Sequence, residues 1–397
     1  MKNIACLLVL LVFSFSCSKT EDDTTIRDQN QVALPNASNS GEGINQNEDP
    51  ANSGGNQDNA DANLDDITSG FESLMNIYDI PGAQVAITRF NKIIYLESFG
   101  VADIENNSAI HENSVFRIAS ISKPITLTAI SKLVAEGKLH LNDLIFGVES
   151  LLGTEFGNLS YEDQEKMITL SHLIEHKAGF SNVPNDIMFD DIALSHTQLI
   201  NKVLDERSLT FSPGTQYEYS NFGYSLLGRI IEKVSGKTYE DYVKEMVLAP
   251  MNITGMSIGG NTKTDAFANE VTYYSTWSDP YAMNVSRMDS HGGWIASTKD
   301  LALYAMHSDL EVSVPDFLGV DEGLSYLQSG SWNHNGALPG SLTVLQVDYP
   351  ISYVVLTNRG DSDFQQVIQA IRNYMNDKIR NRQAWPNNDV VNDLSVK

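Results

Sequence analysis

The chain has 397 residues, 42% hydrophobic and 19% charged, with a formal net charge of −25. Such a composition supports a sizeable core and suits a leader plus one large domain or two intimate lobes, while the acidity repels phosphate backbones and argues against nucleic-acid binding. Both cysteines, Cys6 and Cys17, fall in the first twenty residues, which excludes a disulfide framework, a cysteine nucleophile and cysteine-ligated zinc from the folded part.

Lys2 supplies a short positive region, and an apolar run follows over 4–15. The run is about half the ~20 residues that a spanning helix needs, so it reads as the apolar region of a secretory signal over 1–16. Ser14-Phe15-Ser16-Cys17 resembles a bacterial lipobox, which implies lipidation at Cys17 and an exported, membrane-anchored lipoprotein. The acidic Glu21-Asp22-Asp23 resembles the tract of surface-exported lipoproteins. Residues 17–64, rich in Asn, Gln, Ser, Gly and Asp, lack the apolar content to pack and are expected to form a disordered tether.

Apolar residues at 67, 71, 74 and 77 recur at helical spacing and predict a helix over 65–77, broken at 79–81. Two strands are expected over 83–89 and 93–99 around a turn at Asn91. Helices are expected over 121–137, 226–234 and 239–246. A C-terminal hairpin over 341–347 and 351–358 and an amphipathic helix over 364–379 follow. With strands at both ends and helices between, the expected fold is α+β and two-lobed. One antiparallel sheet, flanked by helices, is built from both chain ends with a mostly helical lobe inserted. The domain is drawn at 65–382, leaving 383–397 as a tail.

Ser120 and Lys123 stand three residues apart, which on a helix places them one above the other. A serine hydroxyl needs a base to become nucleophilic. A lysine serves only when neutral, a form that desolvation favours. Pro124 fits the first helical turn, where its missing N–H costs nothing, so Ser120 lies at a helix N-terminus. Tyr219-Ser220-Asn221 follows about a hundred residues later, and His334-Asn335-Gly336 precedes the hairpin. Here a glycine-containing edge strand would admit a substrate backbone.

These three elements, in this order, resemble the serine β-lactamase and penicillin-binding-protein superfamily, in its class C-like branch of D-aminopeptidases, DD-carboxypeptidases and esterases. Segments at 137–143, 173–180, 224–228, 235–239 and 292–297 extend the similarity, which covers 66–375. The resemblance implies a β-lactamase/transpeptidase-like fold and an acyl-enzyme on Ser120. Lys123 would be the base or relay, and Tyr219 the proton shuttle. Asn221 would bond Lys123 or a substrate amide. The N–H groups of Ser120 and Ala337 would form an oxyanion hole beside Gly336 and His334. Whether Lys123 or Tyr219 is the base stays open. β-Lactamases usually carry Lys-Thr-Gly where this chain has His334-Asn335-Gly336, which places β-lactam hydrolysis in doubt.

The expected activity is therefore hydrolysis of a small-molecule or peptide ester or amide, possibly a D-amino-acid peptide, without cofactor or metal. The alternatives are a slow-turnover penicillin-binding sensor and a true β-lactamase. A metallopeptidase is a further rival, because His172, Glu175 and His176 match His-x-x-Glu-His. Trp277, Tyr281, Trp294 and Trp332 line a pocket or pack in the core. Tyr224 is expected to pack under the site, and Glu218 to face solvent.

Overall fold

The computed structural model describes residues 57–58, 62–311 and 330–391. The signal segment, Cys17 and most of the tether lie outside the described residues. In chain order the main elements are β1 (Gln57–Asp58), α1 (Asp65–Ile77), β2 (Gly82–Arg89), β3 (Lys92–Asp103), β4 (Ser108–Ala109), β5 (Phe116–Arg117) and α2 (Ser122–Ala135). The helical lobe follows with α3 (Leu170–Ile174), α4 (His196–Glu206), α5 (Asn221–Ser235) and α6 (Tyr239–Val243). Then come β6 (Ser257–Ile258), β7 (Trp294–Ala296), α7 (Thr298–Met306), β8 (Ser331–Leu338), β9 (Ser341–Asp348), β10 (Ile351–Thr357), α8 (Phe364–Arg380) and β11 (Ala384–Trp385).

The principal sheet has the order β4-β3-β2-β10-β9-β8. Its β2–β3, β2–β10, β10–β9 and β9–β8 pairs are antiparallel, so strands from the two chain ends meet at β2–β10. Phe90 and Asn91 both take positive φ, as the two-residue turn between β2 and β3 requires. Strand β2 is buried at all eight positions, because the sheet is covered on both faces. Ala83, Val85 and Ile87 pack with Phe71 of α1 and Ile371 of α8, while Ala86 joins the larger core that runs through the helical lobe. A small sheet, β5-β7-β6, ties that lobe to the strand entering the Ser120 turn.

The α+β, two-lobed expectation holds, and β8 is the edge strand that carries His334 and Gly336. Packing continues beyond residues 65 and 382. Leu64 and Trp385 belong to the α1/α8 core, Trp385 with no exposure, and β1 pairs with β11. An indole buries a large apolar area, enough to hold a segment whose flanks are polar.

Helix α2 is apolar on nearly every side and buried along most of its length, so its sequence shows little amphipathic periodicity. Its two buried threonines are satisfied within the core. Thr126 Oγ1 meets Tyr239 Oη at 2.6 Å and donates to Ser290 O at 2.6 Å. Thr128 Oγ1 meets Tyr304 Oη at 2.8 Å.

Candidate active site

Ser120 sits in a single 3-10 turn, Ala119–Ile121, directly ahead of α2. Ala119 holds φ +49, a left-handed conformation that costs a non-glycine residue about 1–2 kcal/mol. The turn is held from the sheet. Ser341 Oγ donates to Arg117 O at 2.5 Å, and Thr343 Oγ1 donates to Ile118 O at 3.0 Å. Strand β8 packs so closely here that a Cβ on Gly336 would lie 2.2 Å from Ile118 O, which is why this position has no side chain. Ser120 keeps partial exposure, whereas Lys123 one turn on is 1% exposed.

The Lys123 amine approaches three oxygens: Asn221 Oδ1 at 2.6 Å, His291 O at 2.8 Å and Ser120 Oγ at 3.2 Å. Two of these are carbonyl oxygens and only accept. Burial lowers the Lys123 pKa to about 7, against a weaker upward pull from the Asp186 charge. Tyr219 Oη donates to Ser120 Oγ at 2.8 Å. Burial raises the phenol far above its ordinary value, which keeps it protonated. Ser220 caps α5 by accepting from Gly223 N–H at 3.0 Å, and so sets Asn221 as the first residue of that helix.

The structure thus brings together Ser120, Lys123, Tyr219 and Asn221, from two helix starts 98 residues apart. His334 and Gly336 share the face of β8 that looks toward the Ser120 turn, while Ala337 points to the opposite face and packs toward the α1/α8 core. His334 Nδ1 lies 2.9 Å from Asn335 O. Burial, then the Lys123 charge, lower its pKa to about 4, so the ring is neutral at pH 7.

The His-x-x-Glu-His residues are used separately. Thr169 N–H donates to His172 Nδ1 in a capping box. Glu175 accepts from Ser171 Oγ and Lys177 Nζ. His176 accepts from Ser220 N–H and lies between the rings of Tyr219 and Tyr224, 4.6 and 4.9 Å from their centroids. Tyr224 packs beneath the site, as expected. Trp294 and Trp332 are core residues, their indoles donating to Tyr239 Oη and Ser308 O. Tyr281 flanks the buried Arg117 guanidinium, and Trp277 stacks on Phe364 at the surface. Glu218 does not simply face solvent. It is half-buried and accepts from Asn182 N–H at 2.9 Å, because Asn182 also ties the Tyr219 carbonyl through its own amide.

Three contributors carry no sequence signal of their own. They are the His291 carbonyl, the Asp186 carboxylate that accepts from Asn221 Nδ2 at 2.5 Å, and Arg372 of α8. The Arg372 guanidinium donates to the amide oxygens of Asn333, Asn335 and Gln346, pinning β8 from its far face.

Solved structures share this architecture. The octameric penicillin-binding protein homologue from Pyrococcus abyssi superposes with a TM-score of 0.62 at 22% identity, covering 79% of this chain and 77% of that one. D-amino acid amidase from Ochrobactrum anthropi SV3 superposes with a TM-score of 0.64 at 18% identity, covering 80% and 98%. Among curated relatives, Protein flp of Staphylococcus aureus is 30% identical over 233 residues, 54% of this chain and 45% of its own length. The chain therefore spans about half the length of that relative. The Beta-lactamase family model matches residues 67–375, from the first turn of α1 into α8, and the chain belongs to that family.

Proposed function

We propose that this chain is a serine hydrolase that cleaves an ester or amide of a small molecule or peptide through an acyl-enzyme on Ser120. The arrangement around Lys123 Nζ carries the reading. Two N–H bonds directed at Asn221 Oδ1 and His291 O leave the third tetrahedral position facing Ser120 Oγ. In the neutral amine that position is the lone pair, as a general base requires. Tyr219, held as a phenol, is then the proton donor and Lys123 the base.

The Ser120 proton passes to Lys123 as Oγ bonds the substrate carbonyl carbon. The N–H groups of Ser120 and Ala337 receive the developing oxyanion. Collapse breaks the C–O or C–N bond, and the leaving group takes that proton by way of Tyr219. Water repeats the sequence with Ser120 as the leaving group and releases the acid.

Position 334 shapes the choice of substrate. A neutral His334 provides no fixed cation for a substrate carboxylate. Hydrogen bonds to charged groups contribute about 1.5–3 kcal/mol, or roughly one to two decades in rate. Neutral esters are therefore favoured over β-lactams. Lipidation at Cys17 would hold the enzyme at a membrane, and Cys17→Ser would release it to the soluble fraction.

Ser120→Ala is expected to abolish fluorophosphonate labelling and to lower ester hydrolysis by about 10³-fold or more. Label on the alanine variant, mapped to another serine, removes Ser120 as nucleophile. Wild type should prefer a nitrophenyl ester to nitrocefin in kcat/KM, with a D-alanyl peptide as the third arm. Equal rates for ester and nitrocefin show that His334 does not set specificity.

A further inference from the structure

The amide of Asn221 has two ends, and both are engaged. Its oxygen receives Lys123 Nζ at 2.6 Å, and its nitrogen donates to Asp186 Oδ2 at 2.5 Å. The other Asp186 oxygen accepts from Met188 N–H at 3.0 Å, closing the start of the short helical turn Ile187–Phe189. Both carboxyl oxygens are therefore acceptors, a pattern that favours the anion.

We infer that Asp186 is a positioning residue of this site: its carboxylate orients the Asn221 amide with the oxygen toward Lys123 and keeps a negative charge behind that contact. The inference rests on the reading of Lys123 as the base. An amide free to rotate would present NH2 to the lysine half of the time, and an NH2 facing a lysine N–H offers no acceptor. The lone pair would then lose its aim at Ser120. The same contact commits one of the two Asn221 N–H donors to Asp186.

The other groups around Lys123 do not supply this charge. The Tyr219 and Tyr224 rings lie 4.6 and 5.6 Å from Nζ and stay phenolic. His176, His291 and His334 are all held neutral, by burial first and then by the lysine's own charge. Burial raises the Asp186 carboxyl above its ordinary value, and the Asp190 charge adds to the rise. The Met188 N–H, the Asn221 amide and the Lys123 charge pull it down.

The experiment follows the rate of fluorophosphonate labelling at Ser120 against pH, in the full chain. Labelling of wild type rises through a limb set by loss of the Lys123 proton. In Asp186→Asn that limb should move to lower pH by about one unit, because an opposite charge nearby favours the lysine cation and its removal favours the neutral base. Asp186→Ser keeps an acceptor without charge and makes the same prediction should the amide variant fail to fold. Asp186→Glu should retain the wild-type limb. A limb that stays in place in the uncharged variants, or moves upward, overturns the inference. Labelling that survives in Ser120→Ala overturns instead the reading on which it rests, so the two failures are distinct.

Discussion

Two cations lie buried a short distance apart and do opposite work. Lys123, at the start of α2, touches only neutral oxygens and loses its proton near neutrality. Arg229, in the middle of α5, pairs with Asp289 at 2.6 Å and Glu232 at 2.8 Å and stays charged. Burial pulls both basic groups down, but at Arg229 the two carboxylates more than offset it. Arg229 in turn holds the Asp289 carboxyl below its ordinary range despite burial. Asp289 accepts from Ser290 N–H, next to the His291 carbonyl that receives Lys123. The fixed pair thus supports the backbone on which the reactive lysine rests. Desolvation alone does not make a base. Desolvation without a contacting counter-charge does.

The largest effect expected from breaking this contrast is at Lys123. Lys123→Arg keeps a cation but replaces an amine that can lose its proton with a guanidinium that does not deprotonate in proteins. kcat/KM for a nitrophenyl ester should fall by about 10²–10⁴, the usual contribution of a general base. In wild type the same parameter should fall about tenfold per pH unit below 7, and the arginine variant should lose that limb. A variant that retains both rate and limb assigns the base to another residue.

Arg229→Met tests the opposite partner. It leaves the buried Asp289 carboxylate to its Ser290 and His196 contacts, without its guanidinium, and should cost about 3–5 kcal/mol of stability, read from urea midpoints. The pH dependence follows from the depressed Asp289 pKa. Its stabilisation is complete above the unfolded carboxylate value and is lost as pH falls through the folded one. The difference between wild type and Arg229→Met should therefore shrink in acid. A constant difference would mean that packing, rather than charge, is what Arg229 supplies.

The smallest change comes from Arg229→Lys. An ammonium can reach one of the two carboxylates but not span both, so the loss should be about 1–2 kcal/mol with little effect on kcat. A loss as large as that of the methionine variant would show that the guanidinium fork, rather than its charge, holds Asp289.

Much of the frame was legible because its causes are local. Of the apolar residues at 67, 71, 74 and 77, the first three form one helical face and bury, whereas Ile77 at the helix end is exposed. The alternation around Asn91 is a turn between strands, and α8 follows its amphipathic stripe. The three-residue spacing of Ser120 and Lys123 held because it depends only on the rise of the turn they share. The sheet edge at His334 was also foreseen, although β8 reaches back to Ser331. Helices α4 and α7 were not anticipated, despite serine caps at 195 and 297 that each close a capping box.

By itself the sequence showed the Ser120–Lys123 spacing and a sheet made from both chain ends, while Tyr219 and Asn221 were read as their partners from the family resemblance. The spacing and the sheet follow from periodicity and from side-chain chemistry along the chain. Tertiary structure alone decided which tryptophans are core, that Leu64 and Trp385 belong to the fold, and that Asp186 stands behind Asn221. It also decided the protonation of Lys123. That property depends on burial within the folded protein and on the charge of Asp186, far from Lys123 along the chain. Such terms act through space, between groups whose separation along the chain carries no regular spacing to read.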